Sequence, residues 1–125
     1  KSKNKLSNYM QKAISNGNKH SAKEYAEAID FMKRSYESYK EVFEDYHGVL
    51  SPSSPGVAPK GLKSTGTAEF NRFWSFMGTP CISLPLLQGE NNLPLGVQLI
   101  GDKYDDLRFL GVARWLEQKS KNYNE

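Results

Sequence analysis

The sequence predicts an α/β layered fold, and three observations predict it. Residues 25–46 carry one helical stripe, Tyr25, Ile29, Met32, Tyr36, Tyr39, Phe43 and Tyr46, spaced alternately four and three apart. Two apolar runs, CISLPLL and LPLGVQLIG, bracket the turn-rich connector QGENN, as the strands of a hairpin do. A second helical face, Phe109, Val112, Ala113 and Leu116, follows them. Helices interleaved with few strands bury their stripes against a sheet, which gives layers rather than a bundle.

Taken in order, Leu6, Tyr9, Met10, Ala13 and Ile14 predict a short amphipathic helix over residues 5–16 that Gly17 breaks. Ser21 with Glu24 three residues on forms a capping box, so the long helix starts there. At 1.5 Å per residue it spans roughly 35 to 40 Å. Tyrosine holds four of the seven stripe positions, whereas a coiled coil wants Leu or β-branched residues without a hydroxyl to satisfy. The helix is therefore expected to lie across a sheet or another helix. His47-Gly48 ends it, with Gly48 in the left-handed C′ conformation, and Val49, Leu50 and Ser51 read as a short buried strand. SPSSPGVAPKG, residues 51–61, is a rigid loop punctuated by prolines. Thr65 or Thr67 is expected to cap a helix carrying Phe70, Phe73, Trp74 and Met77, which Gly78 and Pro80 stop. Antiparallel strands are expected at 81–87 and 95–100, then a last helix opened by Asp105 or Asp106, with Lys119 and Lys121 at its C-terminal end.

Composition narrows the function classes. With 125 residues, 38% of them hydrophobic, the chain has the size and apolar content of one domain. Lys and Arg outnumber Asp and Glu by only 17 to 14, too little for a nucleic-acid footprint. The excess sits in residues 1–23, where Lys1, Lys3, Lys5, Lys12, Lys19 and Lys23 meet no acid. This arm has no arginine and no aromatic besides Tyr9, so it is expected to be a solvated end without a nucleic-acid partner. No run of 18 apolar residues predicts a membrane span. A single cysteine allows no internal disulfide, and a reducing, cytoplasmic location is the expectation. The expected organisation is a basic arm with a short helix over 1–20, a folded portion over 21–119 and a tail over 120–125.

Catalytic constellations are not found. His20 and His47 stand at no metal-ligand spacing from Cys81 or from paired carboxylates, so no metal is expected. Cys81 follows a proline and opens an apolar strand, where it reads as a small buried hydrophobe with a raised thiol pKa. Ser53-Ser54 are adjacent hydroxyls, but their loop offers prolines where an oxyanion hole needs free N–H groups. Lys60 and Lys63 lack evident burial to depress their pKa, and Asp102, Asp105 and Asp106 read as acids at a helix start rather than cation ligands.

FNRFWSFMGTPCISLP at residues 70–85, then LPLGVQLIG and DDLRFLGVARWLEQ, strongly resemble the C-terminal end of amidase signature hydrolases. That family shows a segment like F-N-R-x-W-S/T-x-x-G-x-P-x-x-S/T-x-P, a strand like L-P-x-G-x-Q-L-I/V-G and a closing acidic-start helix. The helix beginning SAKEYAEA and the run Gly48 to Pro52 match the family's penultimate long helix and a strand ending in Ser/Thr-Pro, so the likeness extends from Ser21 to Glu117. Thr79 replaces the usual Leu or Val, and Ser51 stands where Thr is commoner.

The resemblance implies an α/β/α sandwich with a mixed central sheet, of which 21–119 would be the C-terminal part. It implies hydrolysis of a small carboxamide to a carboxylate and ammonia or amine, by a nucleophilic Ser, a second Ser on a cis peptide and a neutral Lys, with no cofactor. Those residues belong to the family's upstream portions, so the resemblance implies no catalytic residue in this chain and inactivity alone. The N-terminal portion of the same amidase is the implied partner. Asn71 and Trp74 match positions on the acyl side of the substrate pocket and are the implied substrate-binding residues, with Phe70, Phe73, Phe76 and Met77 as anchors. A separate non-catalytic module derived from the same fold is the alternative reading. An unpaired sheet edge and the tyrosine stripe lead us to expect that the chain self-associates.

Overall fold

The structure is a computed structural model that describes residues 5–122. The chain divides into two compact units, with the boundary between Arg34 and Ser35.

The first unit holds α1 (Asn8–Gly17) and the start of α2 (Ala22–Asp45). Ser7 caps α1 by accepting a bond from the Met10 amide at 3.3 Å, and none of the residues of α1 is buried. The capping box of α2 forms as its sequence dictates. The Ser21 amide donates to Glu24 Oε2 at 2.7 Å and the Glu24 amide donates to Ser21 Oγ at 3.2 Å. These bonds, the backbone one foremost, hold the Glu24 carboxyl below its ordinary pKa.

In the second unit, β1 (Val49–Pro52), β2 (Cys81–Gln88) and β3 (Pro94–Ile100) form a sheet of order β1-β3-β2. Both pairings are antiparallel, with Val49 and Cys81 each opposite Ile100. The parallel members of the mixed sheet that the resemblance implies are therefore not among these strands. The β2–β3 register shifts between Leu84 and Leu87, around Pro85, which has no N–H to give to the ladder. Asn91, in the connecting turn, takes a left-handed conformation with φ 56°.

Because side chains alternate across a strand, β3 serves two cores. Ile100 packs on one face with Phe43 of α2 and with Trp74 and Met77 of α3 (Arg72–Met77). Leu99 packs on the other with Phe109 and Ala113 of α4 (Asp106–Asn122). The sheet thus lies between two helical layers, the α/β/α arrangement expected.

Several local expectations change. Gly48 has φ 159°, extended rather than left-handed, and its need for glycine is steric: a Cβ would lie 2.8 Å from the Ile100 carbonyl oxygen. Thr65 and Thr67 lie in an irregular loop and cap nothing; α3 starts only at Arg72, with Asn71 at its N-cap making no side-chain cap bond. Gly78 does close α3, in the left-handed region at φ 72°. Phe73 and Phe76 are not interior anchors but exposed at 39% and 37%, while Trp74 and Met77 take the core. A six-residue helix shows one narrow face to its sheet, and positions 74 and 77 share it. Cys81 is exposed, since β2 is an edge strand, although partial burial still pushes its thiol pKa up.

The stripe of α2 is used unevenly. Phe43 is fully buried and Tyr36 and Tyr39 pack against the core, whereas Tyr46 stays 65% exposed. The Tyr36 hydroxyl donates to Asp102 Oδ1 at 2.5 Å, and Lys103 Nζ lies 4.1 Å from the ring centroid. Burial, then the bond to and the charge of Asp102, push the Tyr36 pKa from 10.0 up to about 12. The folded state thus favours the neutral phenol, a stabilisation present below about pH 10 and lost as pH rises through about 12. The expected result is that the unfolding free energy of the native chain minus that of Tyr36→Phe stays constant below about pH 10, then falls between about 10 and 12. Urea titrations at stepped pH measure it; a difference that is flat to about pH 12 contradicts the burial argument.

Candidate functional site

The α2/α3 face of the sheet changes character along its strands. At one end Val49 and Ile100 belong to the apolar core, with the exposed Cys81 completing their row; the next row on the same face is Ser51, Gln98, Ser83. Of these three only Gln98 is buried, and a buried polar group left without a partner is costly, whereas Ser51 is half-buried and Ser83 exposed. Gln98, only 4% exposed, donates through Nε2 to the Phe70 carbonyl at 2.9 Å and to Ser51 Oγ at 3.3 Å. Its first bond ties the segment leading into α3 to the centre of the sheet.

Beyond this row, the chain leaving β1 stays close to β3, with the Ser53 amide donating to the Gly96 carbonyl at 2.9 Å. This brings Ser53 Oγ to 2.6 Å from Ser83 Oγ. Asn71, freed from capping α3, donates through Nδ2 to the Ser53 carbonyl at 3.2 Å. Ser53, Ser83, Asn71 and Gln98 are therefore gathered where β1, β2, β3 and α3 meet. Ser54 through Pro59, with Thr65, Gly66, Thr67 and Pro94, line a cleft of about 400 Å³ that begins at the neighbour of Ser53.

Trp74 lies inside this arrangement and is 8% exposed. Its ring meets Tyr39 and Phe73 edge to face, at centroid distances of 5.5 and 5.2 Å, and its carbonyl accepts from the buried Thr79 hydroxyl at 3.3 Å. Of the two expected substrate-binding residues, Asn71 thus lies in the polar cluster and Trp74 beneath it in the apolar core.

Chemically the cluster offers hydroxyl and amide groups and no activated nucleophile. Neither serine hydroxyl has a basic side chain among its partners, and no group of three His, Cys, Asp or Glu among the described residues suits a metal ion. Ser54 bonds instead to the Gly56 carbonyl of its own loop, at 2.6 Å. Sequence reasoning about the site singled out neither Ser83 nor Gln98. Their signal was a polar residue inside an apolar run, CISLP and GVQLI; that the two share a face follows only from the β2–β3 register. Among the described residues no helix is long and apolar enough to cross a membrane.

Comparison with known proteins agrees with this architecture. The chain is 33% identical over 112 residues to a glutamyl-tRNA(Gln) amidotransferase subunit from Alkaliphilus metalliredigens, an alignment covering 81% of this chain and 22% of that protein. It is 32% identical over 107 residues to the protein of the same name from Thermotoga maritima, covering 81% and 22%. The chain thus spans about a fifth of the length of these relatives. A solved structure described as "Crystal structure of amidase" superposes with a TM-score of 0.78 at 22% identity, over 91% of this chain and 29% of that one, and so shares the fold. The model of the protein family described as Amidase matches residues 1–110, and on that match the chain belongs to the amidase family.

Proposed function

We propose that this chain acts as the C-terminal part of an amidase catalytic domain, supplying sheet scaffold and a hydrogen-bonding wall of the substrate pocket. Cleavage of the amide then belongs to residues of the N-terminal portion of the same amidase. The observation that carries this reading is the Ser53–Ser83 pair, two hydroxyls 2.6 Å apart with no base among their partners. A serine attacks a carboxamide only when a base takes its proton. Bonded to each other beside the Asn71 amide, these groups suit recognition of a small carboxamide or of the carboxylate it becomes. The name of the relatives, which are amidotransferase subunits, supports amide nitrogen as the chemistry of the whole protein. In this reading the protein works in the cytoplasm and needs no metal or organic cofactor.

Asn71 and Trp74 are the substrate-binding residues in this reading. One N–H of the Asn71 amide is spent on Ser53, which leaves its Oδ1 and second N–H for a ligand. Trp74 forms the apolar floor that holds the Asn71 turn in place. The purified chain is expected to release no ammonia or amine from small carboxamides. Multiple turnovers that vanish in Ser53→Ala or Ser54→Ala contradict the proposal. When the N-terminal portion of an amidase is supplied in trans and activity appears, Asn71→Ala should raise KM about three- to tenfold, the worth of one hydrogen bond. An unchanged KM removes Asn71 from the site.

A further inference from the structure

The outer face of α4 carries large apolar side chains that the sheet does not use. Phe109 and Ala113 are buried against Leu99, yet Leu107 is 89% exposed, Leu110 55% and Trp115 57%. A helix apolar on both sides is one that something else covers.

The exposed residues form two adjacent rows at a spacing of four: Asp106, Leu110, Arg114, and beside them Leu107, Gly111, Trp115. Gly111 makes the second row a notch between two large side chains. Nothing lies within 4 Å of where its Cβ would be, so this chain's own packing does not require glycine there. Glycine weakens a helix interior relative to alanine, and a use for it is close approach of another backbone or side chain. The notch opens on a cavity of about 490 Å³ lined by His47, Arg108, Gly111, Val112 and Trp115.

The flanking charges indicate the occupant. Arg108 is paired with Asp105 at 2.5 Å and Glu117 with Lys121 at 2.9 Å, whereas Asp106 and Arg114 have no ion-pair partner among the described residues. They stand four residues before and four after Leu110. An antiparallel crossing of two such helices about a two-fold axis at Leu110 sets each Asp106 opposite the other copy's Arg114. The same axis brings each Leu110 towards the other copy's Gly111 notch. An isologous interface demands this self-complementarity, with a knob and its hole, an acid and its base, all on one patch. One opposite charge at each end makes the patch neutral, unlike the basic face that anionic lipid or nucleic acid selects.

We propose that the outer face of α4 binds a second copy of this chain, through Leu107, Leu110, Gly111 and Trp115, with reciprocal Asp106–Arg114 ion pairs. The contact lies on α4 and not on the tyrosine stripe or the sheet edge, and it does not rest on the amidase reading. Sedimentation equilibrium of the 125-residue chain from about 1 μM to 1 mM tests it, with a concentration-dependent dimer expected. Gly111→Leu fills the notch at a position with open space. It should raise the dissociation constant at least about tenfold without lowering the thermal midpoint extrapolated to dilute protein. Arg114→Asp should weaken the dimer comparably, and Arg114→Asp combined with Asp106→Arg should restore it. A monomer throughout overturns the proposal, as does a dimer indifferent to Gly111→Leu or a charge-swapped double variant that stays apart.

Discussion

Phe43→Ala is expected to lower the unfolding free energy by about 3 to 5 kcal/mol, most or all of the stability of a marginal domain. Phe43 is 1% exposed, in a cluster with Trp74, Met77 and Ile100, with Tyr36, Tyr39 and Val49 around it. It is the one residue of α2 that is fully buried, so truncation opens a cavity where α2, α3 and β3 meet. Its backbone carbonyl also accepts from Arg108 Nη2 at 3.4 Å, a bond between the end of α2 and the start of α4 that both Phe43→Ala and Phe43→Leu leave available, so the loss reports the side chain. Urea unfolding followed by circular dichroism measures the effect: Phe43→Leu should recover more than half of the loss. A change below about 1 kcal/mol for Phe43→Ala places the contact outside the core.

Trp74→Ala should cost a similar amount, about 3 to 5 kcal/mol, because the indole fills the space between Tyr39 and Phe73 and packs on Ile100. Stability alone does not test its proposed place behind the substrate. Trp74→Phe keeps an aromatic ring in the cluster and should retain most of the stability. In an amidase reconstituted with the N-terminal portion, the same variant should shift the ratio of kcat/KM between small and bulky carboxamides by about tenfold, the worth of reshaping an apolar wall. A ratio that stays constant assigns Trp74 to the core alone.

The outline of the fold was legible because its signals are local. The Ser21–Glu24 box starts α2 through bonds between residues three apart, and the two apolar runs around QGENN marked β2 and β3 to within a residue or so at each end. The short α3 was less legible: Thr65 and Thr67 are good capping residues that the chain does not use, since the bond from Gln98 to the Phe70 carbonyl draws the preceding segment onto the sheet instead. Likewise nothing near Phe73, Trp74 and Phe76 tells which of three aromatics faces inward.

The helices, the strands, their antiparallel hairpin and the family likeness from Ser21 to Glu117 were readable from the chain alone, because helical periodicity, capping and apolar runs bounded by turn residues act over spacings of a few residues. The site came only with tertiary pairing. Ser53 meets Ser83 across 30 positions and Gln98 meets Phe70 across 28, contacts that depend on the order β1-β3-β2 and on its register. A shift of one residue in that register turns Ser83 to the opposite face of the sheet, so the polar cluster exists only once the strands have paired.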